Sequence, residues 1–285
     1  MKPAPFTYHR PGTVAEAVDL LAALAPEGGR VLAGGQSLVP LMAFRLTQPT
    51  HLIDINRVAD FGALRLESGV VRVPATVRHA DFAPQAVPAP LGPSLAKVAR
   101  HIAHLPIRLR GTFCGSLAHA DPSAEWPTVF VALGGEAVAR SCRGERVVRA
   151  EAFCRGIMTT ALEADEVLAE ARLPLPAAHT RVGFCEVSRR AGDYAMAMAV
   201  ACLGVSSGVI EAPVVAVGAV EPVPRRIASA EVVLRGQAPE DGVFRRAADA
   251  AADGVDPMED AQVSAGLRRN LVRAVVRRAL RDAMR

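Results

Sequence analysis

The run Arg30-Val31-Leu32-Ala33-Gly34-Gly35-Gln36-Ser37-Leu38-Val39-Pro40-Leu41-Met42 reads as a strand, a tight glycine turn and the start of a helix. That order aims backbone N–H groups outward. Gly34 and Gly35 can take positive φ and carry no Cβ, so an anion can approach the main chain closely. Ser37 adds a hydroxyl, and the unpaired N–H groups and dipole of the following helix favour negative charge. A pyrophosphate suits this arrangement. An ordinary strand-to-helix turn fits the same residues.

A second small-residue string, Gly111-Thr112-Phe113-Cys114-Gly115-Ser116, runs on through Leu117-Ala118-His119-Ala120-Asp121-Pro122-Ser123-Ala124-Glu125-Trp126-Pro127. The apolar positions Leu95, Val98, Ile102 and Leu105 end one helical pattern before it, and 127–133 begins another. The stretch between them reads as a long polar loop, a type that is usually functional in a compact domain. Thr112 and Ser116 are its hydroxyl donors. Neither string has the Gly-x-Gly-x-x-Gly spacing of a dinucleotide fold or the Gly-x-x-x-x-Gly-Lys-Ser/Thr spacing of a phosphate loop.

Composition narrows the alternatives. The chain has 285 residues, 51% of them hydrophobic and 22% charged, which suits about two folded domains and little disorder. Net charge is +4, Lys2 and Lys97 are the only lysines, and the 4% aromatic content leaves little to stack on bases, so nucleic-acid binding is not expected. No apolar stretch approaches the ~20 residues of a membrane span, and Met1-Lys2-Pro3-Ala4-Pro5 lacks a signal core, which implies a cytoplasmic protein. Five cysteines without a C-x-x-C pair read as buried thiols rather than a disulfide framework or a cluster site.

Thr13 to Glu16 has capping-box spacing for a helix reaching about Ala25, closed by Gly28-Gly29. Strands are expected near 31–33, 51–55, 70–73, 135–140, 146–149 and 166–173. After the turn at Pro174-Leu175-Pro176, segments 181–188, 195–205 and 214–220 read as an antiparallel sheet, followed by two or three helices. The last helix, 264–284, places Leu267, Leu271, Val275, Leu280 and Met284 near one face and carries six arginines, which read as a solvated face or a docking surface.

The strings AGGQSLVPLM and GTFCGSLAHADPSAEWP, with Arg189-Arg190-Ala191-Gly192-Asp193-Tyr194-Ala195, resemble the FAD-binding medium subunit of molybdenum hydroxylases of the carbon monoxide dehydrogenase and xanthine dehydrogenase group. The resemblance runs from Phe6-Thr7-Tyr8-His9-Arg10-Pro11 to the arginine-rich end. It implies an α+β fold: a two-lobed FAD-binding domain of the PCMH/vanillyl-alcohol-oxidase type over 1–176, with lobes of about 1–57 and 58–176, then a smaller α+β domain over 177–285.

The same resemblance implies that Ala33, Gly34, Gly35, Gln36 and Ser37 wrap the FAD pyrophosphate, and that the second string, Thr112, Phe113, Cys114, Gly115 and Ser116, meets phosphate, ribityl and flavin. It places Glu125 on ribityl or ribose hydroxyls, the backbone of Leu168 against the flavin ring, and Tyr194 over one flavin face. Phe113 and Cys114 depart from the Ile-Gly pair common in relatives, and Cys185-Glu186 stand where some relatives have a lysine near the flavin. The implied partners are a large molybdenum-cofactor subunit and a small [2Fe-2S] subunit, as a dimer of heterotrimers.

No nucleophile-base grouping is evident, so no catalytic residue is expected in this chain; the cofactor would do the chemistry. His101 and His104, at i and i+3, lack the carboxylate or third ligand that a metal site needs, and no metal site is expected. Two other readings stand beside the main one. The chain could be a self-sufficient FAD oxidoreductase of the same fold, or a flavin-free scaffold, for which Cys114 in the glycine loop is the best argument.

Overall fold

The computed structural model describes residues 2–285. In chain order the elements are β1 Thr7–His9, α1 Val14–Leu24, β2 Gly29–Leu32, α2 Leu38–Ala43, β3 His51–Asp54, β4 Arg65–Glu67, β5 Val70–Pro74, α3 Leu91–His101, α4 Leu105–Arg108, α5 Phe113–His119 and α6 Glu125–Ala132. There follow β6 Glu136–Ser141, β7 Gly144–Arg149, α7 Ala150–Phe153, β8 Cys154–Gly156, β9 Thr159–Thr160 and β10 Val167–Pro174. The last elements are β11 Thr180–Ser188, β12 Ala195–Ser206, β13 Val209–Gly218, β14 Arg225–Arg226, α8 Ala228–Leu234, α9 Asp241–Asp253 and α10 Ala265–Ala283.

The first lobe is a parallel sheet of order β1-β3-β2. Thr13 caps α1 by accepting from the Glu16 N–H, while Glu16 returns a carboxylate oxygen to the Gly12 N–H; Gly28 ends the segment at φ +88°. Val14, Ala17, Val18 and Leu21, spaced on one helical face, pack on Ile53 and Ile55 and on Val167 and Ala169 of β10. Because β2 and β3 are parallel, their C-terminal ends lie side by side. That is the edge of an open parallel sheet where ligands bind.

An antiparallel sheet of order β4-β5-β10-β6-β7 forms the second lobe, with α3, α5 and α6 packed on it. Beyond it lies the sheet β11-β12-β13-β14. Its central strand is buried on both faces, which explains the nearly unbroken apolar run of 195–203. Ala197, Ala199, Ala201 and Leu203 face α8 to α10, whereas Met198, Val200 and Cys202 face the core shared with α3 and α6. Gly183 allows α10 to lie directly on β11: a Cβ there would stand 2.1 Å from the Ala279 carbonyl oxygen.

Two sequence expectations change. Residues 111–127 are not one long polar loop, because Phe113–His119 and Glu125–Ala132 are helices. Small residues and the Thr112 cap favour α5, and composition alone hid it. On α10 the core stripe is Val272, Val275, Val276, Ala279, Leu280 and Ala283, while Leu267 is exposed. Its arginines are largely spent inside the chain. Arg268 is buried against Asp260 at 2.6 Å, Arg273 meets Asp249 and Asp253, and Arg277 and Arg281 share Asp241, whose carboxyl they hold well below the usual range.

Candidate functional site

The two glycine strings touch each other. A Cβ at Gly34 would lie 2.3 Å from the Arg110 carbonyl oxygen and 2.6 Å from Gly111 Cα, and one at Gly115 would stand 4.0 Å from Ala33 Cβ. Glycine at 34 therefore allows one loop to close on the other. Gly35 is the residue in the left-handed region, at φ +70°. The backbone N–H groups of Gly34, Gly35, Gln36 and Ser37 have no acceptor among the described residues, so four donors are gathered ahead of α2. Gln36 does not reach outward with its side chain, which folds back onto the Gly34 carbonyl at 3.0 Å. Ser37 leaves its hydroxyl free of the helix cap.

Thr112 caps α5, its Oγ1 accepting from the Gly115 N–H at 2.9 Å, which leaves its O–H to donate. Bonds from the His79 N–H to the Gly111 carbonyl and from the Phe113 N–H to the Val77 carbonyl pin this loop to the chain after β5. The departures at 113 and 114 point inward. The Phe113 ring packs on Trp126 and Phe82 at centroid distances of 4.9 and 5.7 Å, and the Cys114 thiol lies 3.3 Å from the Val73 carbonyl, buried and pushed to higher pKa by that burial. Neither side chain crowds the loop, although the Cys114 N–H remains available at the helix N-terminus. Ser116 follows within the same helix, partly exposed.

Glu125 is the first residue of α6 and is 8% exposed; burial, and then the Asp121 charge, push its pKa up to about 7. Leu168 has a buried side chain and sits at a bulge of β10 opposite β6, where the next carbonyl, Ala169, accepts from the Ala75 N–H. Tyr194 lies in the β11–β12 turn, 72% exposed. Gly192, at φ +85°, seats that turn on the α3–α4 corner, where a Cβ would strike His104 at 2.7 Å. His104 itself precedes α4 instead of continuing α3, so it does not share a helical face with His101.

Several residues that position this site escaped the sequence reading. Asn56 donates to the Ala33 carbonyl at 2.8 Å, and Arg78 grips Asn56 Oδ1 at 2.5 Å while also donating to the Arg110 carbonyl. Asn56 and Arg78 thus clasp both glycine loops. Burial lowers the Arg78 pKa, yet it stays a cation beside the loops, which suits a ligand with two phosphates. His79, buried and held near pKa 4 by desolvation, accepts from Trp126 Nε1 at 2.9 Å and backs Gly111. The signal for Asn56 was its place just past the end of β3, beside the end of β2.

The arrangement fits FAD by its own geometry: a cradle closed by glycines, free N–H groups at two helix N-termini and a neighbouring guanidinium, with a carboxylate at the start of the next helix, α6.

Residues 4–176 match the family described as FAD binding domain in molybdopterin dehydrogenase, and 183–283 match the CO dehydrogenase flavoprotein C-terminal domain. The nicotine 6-hydroxylase medium subunit of Paenarthrobacter nicotinovorans is 35% identical over 99% of each chain, and caffeine dehydrogenase subunit beta of Pseudomonas sp. (strain CBB1) is 34% identical over 99% of this chain and 96% of that one. Among solved structures, carbon monoxide dehydrogenase from Hydrogenophaga pseudoflava superposes with a TM-score of 0.95 at 36% identity, over 100% of this chain and 99% of that one. The chain belongs to the FAD-binding medium-chain family of the molybdenum-containing hydroxylases, as a flavin-dependent oxidoreductase subunit of the carbon monoxide dehydrogenase and xanthine dehydrogenase type.

Proposed function

We propose that this chain is the electron-transfer subunit of a cytoplasmic heteromeric molybdenum hydroxylase, with 1–176 holding FAD and 177–285 completing the cleft. When bound, FAD supplies two-electron and one-electron chemistry, linking iron–sulfur clusters of a small subunit to an external acceptor. The observation that carries the reading is the direct contact of the two glycine loops at Gly34, which makes them two sides of one phosphate cradle.

In this reading the N–H groups of 34–37, with those at the start of α5, bind the pyrophosphate. The Thr112 and Ser116 hydroxyls donate to phosphate or ribityl oxygens, and Glu125 accepts from sugar or ribityl hydroxyls. The Leu168–Ala169 backbone and the Tyr194 ring border the isoalloxazine. Substrate oxidation belongs to a large molybdenum subunit, and the assembly is a dimer of heterotrimers. Several relatives are named as medium chains or as subunits of dehydrogenase complexes, which supports such partners. The inward orientation of Cys114 removes the main argument for a flavin-free scaffold.

Isolation of the tagged chain from its native cells tests the assembly. The expected result is co-purification of one large and one small chain, with molybdenum and iron by elemental analysis. A flavoprotein that purifies alone and oxidises a substrate by itself would overturn it.

A further inference from the structure

The carboxamide of Asn56 is engaged on both sides. Its Nδ2 donates to the Ala33 carbonyl at 2.8 Å and to Asp54 Oδ1 at 2.5 Å, and its Oδ1 accepts from Arg78 Nη2 at 2.5 Å. These partners leave it one orientation. A carbonyl and a carboxylate only accept and a guanidinium only donates, so turning the amide over would set its oxygen against two acceptors and its NH2 against a cation. Asp54 holds the residue a second time, because the Asn56 backbone N–H also donates to Oδ1, at 2.8 Å. The other carboxylate oxygen, Oδ2, accepts from the Tyr8 hydroxyl. That bond, then burial, then the Asp54 charge raise the phenol pKa, so Tyr8 stays a donor at neutral pH.

Strand register brings these residues together. β1, β3 and β2 run parallel, with Tyr8 opposite Leu52 and Leu32 opposite Asp54. Residues two apart on a strand share a face, so Asp54 lies on the same face as Leu52 and Tyr8. β3 ends at Asp54, and Asn56 follows where the chain passes Ala33.

The grip on Ala33 reaches the ligand side of the loop through one peptide plane. A trans peptide unit is flat, with its C=O and N–H pointing in opposite directions. The Ala33–Gly34 bond is trans, the cis bond of the chain being Ala89-Pro90. Holding the Ala33 carbonyl therefore aims the Gly34 N–H, one of the four unpartnered donors ahead of α2. A carboxylate beside an anion site opposes the ligand by its charge, so what Asp54 contributes there comes from the groups its oxygens hold.

We propose that Asp54 is a positioning residue for the phosphate cradle: by fixing the Asn56 carboxamide it sets the Ala33–Gly34 peptide so that the Gly34 N–H faces the anion before FAD arrives. Less backbone then has to be ordered on binding, which raises affinity. Tyr8 plays the outer part, keeping the carboxylate from turning away. The inference rests on the reading of 33–37 as a pyrophosphate site.

Titration of FAD into the full chain stripped of flavin, read by flavin fluorescence, tests this, with urea unfolding of each variant to separate folding from binding. Asp54→Ala, which frees the amide, is expected to weaken binding about tenfold, and Asn56→Ala about as much. In the Asn56→Ala background the Asp54 change should cost less than about twofold more, because Asp54 acts through Asn56. Asp54→Asn restores binding to within about threefold of wild type: its carbonyl oxygen still accepts from Asn56, and the Tyr8 hydroxyl turns to accept from its NH2. Should Asp54→Ala fail to fold, Asp54→Leu, closer in size, takes its place. Affinity of Asp54→Ala within about twofold of wild type, equal losses from that change with and without Asn56, or an Asp54→Asn protein as weak as Asp54→Ala overturns the proposal. A wild type that binds FAD tightly beside an unaffected Asp54→Ala sinks this inference alone, whereas a wild type that binds no FAD sinks the cradle with it.

Discussion

Gly34→Ala is the smallest change that tests whether the two glycine loops act as one cradle. The added methyl would lie 2.3 Å from the Arg110 carbonyl oxygen, 2.9 Å from its carbon and 2.6 Å from Gly111 Cα, all backbone atoms that no side-chain rotation can move. Ordinary carbon–oxygen contact needs roughly 3.4 Å, so the loops must part by about 1 Å, an overpacking cost of about 1–3 kcal/mol. Parting them also strains the Asn56 bond to Ala33 and the Arg78 bond to Arg110, because each grips one loop. If about 2 kcal/mol of that cost falls on the ligand-binding geometry, FAD affinity drops about thirtyfold. Calorimetric titration of the flavin-stripped chain with FAD, paired with urea unfolding to separate stability from binding, measures both parts. Affinity within twofold of wild type in a normally folded Gly34→Ala protein would refute the cradle.

Other consequences are read in the same preparations. Thr112→Ala removes the cap of α5 and costs about 1 kcal/mol in urea unfolding, with weaker FAD binding because the loop N–H groups lose their frame. Gly218→Ala sets a methyl 1.9 Å from Thr128 Oγ1 at the α6–β13 contact; it should lower stability markedly, and adding Thr128→Ala should recover part of the loss, a coupling that a double-mutant cycle reads. Native thiol labelling followed by mass spectrometry should mark exposed Cys142 first and leave buried Cys114 and Cys202 unlabelled until unfolding, since burial raises both their pKa values. His79 has a folded pKa of about 4, so between about pH 6.5 and 4 the unfolded chain binds the proton first and stability falls as pH drops. The loss is on the order of 3 kcal/mol, and His79→Gln should flatten that limb of the unfolding profile.

The regular elements were legible where one period dominates. The Thr13 cap and the apolar face of α1 fixed the first helix, and the doubly buried 195–203 run could only be a central strand. The second glycine string was harder. Helix α5 is short, its inward residues Phe113, Cys114 and Leu117 are interrupted by glycine and serine, and its cap is a threonine that also reads as a ligand donor. The site was legible as chain segments but not as a contact. That Gly34 touches Gly111 and that Asn56 and Arg78 lock the two loops are consequences of pairing at long sequence separation, which local pattern does not encode. The inward turn of Phe113 follows from the Trp126–Phe82 cluster, which likewise forms only on folding.

The most direct test of the central claim is the identity and amount of nucleotide released when the purified full-length chain is denatured. The two-loop pyrophosphate cradle predicts one FAD per chain, confirmed by mass. Recovery of FMN, whose single phosphate needs only one loop, or of a chain that carries no flavin and takes up none from added FAD, would contradict it.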